Sequence, residues 1–198
     1  MRKFLIIALC LISVGLRSQQ WEIAYTVEES AFLMGGCSNG DGNYIFGVCG
    51  DNAYAMYVHA DGSFIARTYC YGYKSELCSA VGLDNGNAFV VGIKGGTLED
   101  QVYDSLWIAV VNPELDIVEE HGYPVVTPYK TWTNDIYLDF DSAGDVIVLA
   151  DVSVMDFPWV TNGVYVVLKC DVNGNVLDSQ YFPDGHGPSG DRDRKSVV

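Results

Sequence analysis

One unit limits what this chain can fold into: a strand–turn–strand module over Asn39 to Tyr69 that recurs twice. From Gly40 it reads GDGNYIFGVCGDNAYAMYVHADGSFIARTY, a tight turn, two strands, a second tight turn and a further strand. Trp21 to Val27 and Ala31 to Cys37 read as strands ahead of it. The second copy predicts strands at Leu77–Leu83, Asn87–Ile93, Leu106–Val111 and Asp116–His121, around turns at Asp84-Asn85-Gly86 and Asn112-Pro113-Glu114. The third predicts strands at Thr133–Asp139, Asp145–Asp151, Val164–Cys170 and Asn175–Phe182, around Asp141-Ser142-Ala143-Gly144 and Asp171-Val172-Asn173-Gly174. Val, Ile, Tyr and Phe fill the strands, and Gly, Asn and Asp fill the turns, where positive φ is needed. Gly42, Gly86 and Gly144 lie roughly 44 and 58 positions apart, near the length of a four-stranded propeller blade. The expectation is an all-β chain, a partial β-propeller of about three four-stranded blades. A β-sandwich is the alternative, since it too has regular short strands, although it does not require the same strand order three times.

The stretch Gly163-Val-Tyr-Val-Val-Leu-Lys-Cys-Asp-Val-Asn-Gly-Asn-Val-Leu, preceded by Gly144-Asp-Val-Ile-Val-Leu-Ala, resembles the repeats of secreted bacterial β-propeller proteins of the Bacteroidetes type, with delta-60-like repeats. Asp41-Gly42-Asn43-Tyr44-Ile45 and His59-Ala60-Asp61-Gly62-Ser63 fit the same pattern. The middle copy departs from it, with Pro113-Glu114-Leu115-Asp116 where those repeats have D-x-x-G-N. The resemblance covers nearly all of Trp21 to Phe182, and its motifs are structural. It therefore implies a fold more than an activity.

The two ends read as something other than fold. Arg2 and Lys3 precede the apolar run Phe4 to Val14, with Gly15, Ser18 and Gln19 after it, so residues 1–18 read as a secretory signal peptide cleaved after Gly15 or Ser18. The run is shorter than the ~20 residues of a membrane-spanning helix. Cys10, with Leu9 before it, does not make a lipoprotein anchor. Asp193 to Val198 back-translates to a common sequencing adapter, so the repeat region is taken as 19–192 and as a truncated fragment. Of 11 basic and 26 acidic residues, the two ends take five and one, leaving a net charge of about −19 at pH 7. Such a surface repels phosphate backbones and anionic lipid, which argues against nucleic acid and membrane partners. The expected location is secreted or cell-surface.

Five cysteines follow the leader: Cys37, Cys49, Cys70, Cys78 and Cys170. An exported chain can oxidise them, and Cys70 with Cys78, flanking a short loop, is the candidate disulfide. The competing reading makes them small hydrophobes within strands. No C-x-x-C, H-E-x-x-H, G-x-S-x-G or phosphate loop occurs, so the sequence calls for no metal, cofactor or catalytic residue. Asp171-x-Asn173-x-Asn175 starts like a calcium loop, but Val176 and Phe182 stand where Gly and Glu are needed.

In a four-stranded meander, the first-to-second and third-to-fourth turns share one face, and here they are short. The long connections, Gly95–Ser105, Tyr123–Trp132 and Val154–Asn162, fall on the other, and a repeat protein elaborated on one face usually binds there. Tyr129, Trp132 and Trp159 in those connections are a candidate platform for a glycan or protein ligand; the plain alternative is that they pack their own loops. The leading functional expectation is a secreted binding or scaffold module. The alternative is a glycan-active enzyme whose acidic residues lie partly in further blades.

Overall fold

A computed structural model describes residues 31–70, 75–95, 105–124, 130–156 and 159–183. The segments read as signal peptide, first strand and adapter lie outside the described residues. Twelve strands form three four-stranded antiparallel meanders. The first sheet is β1 (Ala31–Ser38), β2 (Gly42–Cys49), β3 (Asn52–His59) and β4 (Phe64–Tyr69). The second is β5 (Ser75–Gly82), β6 (Ala88–Lys94), β7 (Ser105–Val111) and β8 (Ile117–Pro124). The third is β9 (Lys130–Phe140), β10 (Val146–Asp156), β11 (Trp159–Cys170) and β12 (Val176–Pro183). Within each sheet the strands lie in sequence order, so the all-β expectation and the four-strand unit hold; no ring closes among the described residues.

The second sheet lies between the other two, which explains its composition. Ala88, Val90, Trp107, Ala109 and Val111 pack toward the first sheet with Tyr44, Phe46 and Tyr57. The alternate residues Phe89, Val91, Ile93, Leu106 and Ile108 pack toward the third with Val148, Val152, Val166 and Leu168. A strand buried on both faces has no polar side, and β6 and β7 accordingly read as near-continuous apolar runs. In the third sheet β10 instead alternates. Val146, Val148 and Ala150 are buried, whereas Leu149 and its neighbours Tyr137 and Tyr165 on the opposite face are exposed.

Successive sheets meet along their first strands, β1 against β5 and β5 against β9. The approach of β1 to β5 is backbone to backbone. A side chain at Gly35 would put its Cβ 2.5 Å from the Cys78 carbonyl, and one at Gly82 would collide with the Ser38 carbonyl.

Five of the hairpins are one turn repeated. In each, the first amide bonds the fifth carbonyl and the fourth amide bonds the first carbonyl: His59–Ser63, Leu83–Asn87, Asn112–Asp116, Asp141–Asp145 and Asp171–Asn175. The fourth residue has positive φ, and it is Gly62, Gly86, Gly144 and Gly174 in four of them. Leu115, with φ 62°, fills that position in the Asn112 turn. A leucine is strained there, and it is compensated by burial in the core between the first and second sheets, where Leu115 is 1% exposed. The departure at Pro113-Glu114-Leu115-Asp116 is thus the same turn with a core residue built into it.

Candidate functional site

Strand pairing aligns the three copies residue by residue. Ser38, Gly82 and Phe140 pair with Asn43, Ala88 and Val146, so they occupy one position at the end of the first strand. Asn39 and Leu83 follow it, and Tyr44 and Phe89 are the next matched pair. With these equivalences, the seams between neighbouring sheets can be compared at their turn ends.

At the first seam the turns are tied together. Asn39 Nδ2 donates to the Gly86 carbonyl at 2.5 Å and the Tyr44 hydroxyl donates to the same oxygen at 3.0 Å. Asn39 Oδ1 accepts from the amides of Asp41 and Gly42 and from the Tyr57 hydroxyl, which fixes the amide's orientation. Farther out, Arg67 on β4 donates to the Leu115 carbonyl at 2.9 Å and pairs with Asp116. The Tyr69 hydroxyl reaches the same carbonyl at 2.8 Å. Trp107 stands edge-on to Tyr69 with ring centroids 6.2 Å apart, beneath Lys94 Nζ.

At the second seam the outer clamp recurs in different residues. His121, at the position of Arg67, donates from Nε2 to the Asn173 carbonyl at 3.1 Å, and the Tyr123 and Tyr181 hydroxyls bond at 2.8 Å. The turn end stays open. Phe140 stands where Gly82 allows close approach in the first seam. Leu83 and Phe89 replace Asn39 and Tyr44, so neither residue can donate to Gly144 as its counterpart donates to Gly86. A half-open cleft of about 460 Å³ results, lined by Leu83, Asp84, Asn85, Phe140, Gly144 and Val172. Phe140 and Val172 are 41% and 44% exposed, so its wall is apolar surface left in water. Asp141 and Asp145, on the same turn as Gly144, share the Lys169 ammonium at 2.7 and 2.9 Å. That ammonium holds the Asp141 carboxyl below the usual range, helped by the amides of Ala143 and Asp145 and opposed by partial desolvation.

The aromatic platform is placed differently from the sequence expectation. Tyr129 lies outside the described residues. Trp132 and Trp159 are not in a loop: Val154–Asn162 is largely a continuation of β10 and β11, paired through Met155 with Val160 and Asp156 with Trp159. Trp132 pairs with Ser153 on the other side of β10, so the two tryptophans sit on strands flanking β10, three of its residues apart. The extension carries the strand-favouring residues Val154, Trp159, Val160 and Thr161, a signal outweighed in the sequence by Phe157-Pro158.

The proposed disulfide is not formed: Cys70 and Cys78 are both free thiols. Cys70 is exposed past the end of β4. Cys78 is the extra residue at the β5 bulge between Leu77 and Ser79, partly buried against the second seam. Burial pushes the thiols of Cys37, Cys78 and Cys170 up to about 12, with Glu76 adding to the effect at Cys78 and Asp171 at Cys170. These three are therefore protonated and weakly nucleophilic at neutral pH.

No helix among the described residues is long and apolar enough to cross a membrane, and no group of three or more His, Cys, Asp or Glu among them could hold a metal ion. Neither the protein-family models nor the curated proteins give a match to this chain.

Proposed function

We propose that the chain is a non-catalytic binding or scaffold module built from β-propeller blades and exported by its N-terminal segment. The observation that carries this reading is the repeated outer clamp. A fourth-strand residue of the first and of the second sheet, Arg67 and His121 respectively, grips a carbonyl in the third-to-fourth-strand turn of the next sheet. Blades are related in this way, each packing its face on the back of its neighbour. Gln180 and Phe182 hold the positions of Arg67 and Tyr69 on the outward face of the third sheet. On that face Tyr137, Tyr165 and Phe182 are 61%, 40% and 44% exposed. In the propeller reading, that face takes a further sheet. Alone in solution the chain should then self-associate through it, and Leu149→Lys with Tyr165→Lys should reduce the association. Sedimentation velocity over a range of concentrations is the measurement. A monodisperse wild-type monomer with one sharp unfolding transition would overturn the propeller reading in favour of a sandwich. Ligand binding on the long-connection side is tested by glycan and peptide arrays, where Trp132→Ala or Trp159→Ala should abolish any signal.

A further inference from the structure

The cleft at the turn end of the second seam has the makings of a ligand site that its counterpart in the first seam lacks. Its volume, about 460 Å³, suits a single side chain or a small ring compound. Leu83, Phe140 and Val172 supply an apolar wall, and two of them are large hydrophobics substantially exposed to water. The polar groups at the mouth are mainly acceptors. Asp84 brings a carboxylate. The Gly144 carbonyl has neither of the side-chain donors that its equivalent, Gly86, receives from Asn39 and Tyr44. Asn85 Oδ1 is taken by the Asn87 amide, so among the described lining residues the side-chain donor is the Asn85 amide nitrogen. Among the described residues that line it none is cationic, and the whole chain carries a formal charge of −15.

We propose that this cleft binds a small organic cation with an apolar body, an ammonium or guanidinium on an aliphatic or aromatic stem. The stem lies against Leu83 and Val172 with the Phe140 ring available to the cation's flank. The charged head meets the Asp84 carboxylate and the Gly144 carbonyl. An anion of the same shape meets acceptors only and is repelled. A neutral ligand keeps the apolar contact and loses the charge-assisted hydrogen bond.

The probe is 2-phenylethylammonium, titrated onto the full chain by saturation-transfer NMR, with 3-phenylpropionate as the anionic control of similar shape. The cation should give a saturable signal that weakens as salt is added, and the anion none. Asp84→Asn should weaken the cation roughly threefold, the scale of one exposed ion pair. Leu83→Asn places the Asn39 side chain at the equivalent position, where it can donate to Gly144, and should remove most of the binding. Asp84→Asn is a surface change that leaves the core intact, so the test stands even if Leu83→Asn perturbs folding. Equal signals from cation and anion, no saturable cation signal, or undiminished affinity in Asp84→Asn would each overturn the proposal.

Discussion

Between the first and second sheets, the residue closing the first strand is Ser38, and Asn39 and Tyr44 both donate to a carbonyl of the facing turn. Between the second and third sheets, the matching residues are Gly82, Leu83 and Phe89, and Phe140 faces them. The first seam is lined by aromatics: Tyr44, Phe46, Tyr57, Tyr69 and Trp107. The second is mostly aliphatic, with Val148, Val152, Val166 and Leu168. A seam stitched by side-chain hydrogen bonds closes to its rim. A seam held by aliphatic burial closes only where the apolar side chains reach, and a bulky residue at its end leaves a wedge. The same scaffold thus makes one closed joint and one with a cleft, and the difference rests on three positions.

The most direct way to break this comparison is to empty the first seam at its centre. Trp107 is fully buried among Tyr69, Leu115 and Ala109. Trp107→Ala should cost about 3–5 kcal/mol, because a cavity of that size cannot collapse between two sheets. Urea denaturation gives the magnitude, and hydrogen exchange gives its location. Amides of β1–β4 should lose more protection than those of β9–β12, which pack on the opposite side of the second sheet. Equal loss across all three sheets would mean that the seams are one cooperative unit and that their contrast is only local.

A smaller effect tests how the first seam recruits its neighbour's turn. Leu115 occupies a backbone conformation that glycine adopts in the four sister turns, and its side chain is buried against the first sheet. Leu115→Ala loses the buried contact and keeps the strained backbone, for about 2–5 kcal/mol. Leu115→Gly loses the same contact and relaxes the backbone, so it should be the milder change by about 1 kcal/mol. Thermal or urea unfolding of the two variants decides the order. If alanine proves milder, the strain assigned to this turn is absent.

The turn chemistry explains how much of this could be read before the structure. The four-strand unit and the hairpins were legible because their determinants are local. Asp141 and Asp171 each bond amides two and four residues on, and glycine at the fourth position is set by φ alone. Leu115 obscured that pattern because its reason is tertiary. The extension of β10 and β11 was misread because Phe157-Pro158 looks like a loop, whereas pairing of the flanking residues carries both strands on. The cleft was not legible at all. It depends on Phe140 facing the second sheet at the place where Gly82 faces the first, and that equivalence emerges only from strand register. Tyr129, Trp132 and Trp159 stand out in the sequence by their chemistry and spacing, which say nothing about what stands beside them in space.

The smallest expected effect concerns the turn that bounds the cleft. Asp141 is held below the ordinary carboxylate range by Lys169, and Lys169 is in turn raised above the ordinary lysine range by the hydrogen bonds it donates to Asp141 and Asp145. A depressed carboxyl contributes stability that is present above its unfolded pKa, about 4, and lost as pH falls through the folded value. The raised lysine contributes below its unfolded pKa, about 10.4, and loses that contribution only as pH rises past the folded value. The pair should therefore give a flat contribution from about pH 5 to 9 that disappears on the acid side. Asp141→Asn should lower the urea midpoint slightly at pH 6 and by less at pH 3, which lies below the unfolded carboxyl's pKa of about 4, so that the contribution is already being lost. The effect stays small because the pair is partly solvated and screened. No difference at either pH would assign Asp141's role to its turn hydrogen bonds, which asparagine largely keeps, and would leave the cleft's edge without electrostatic support from Lys169.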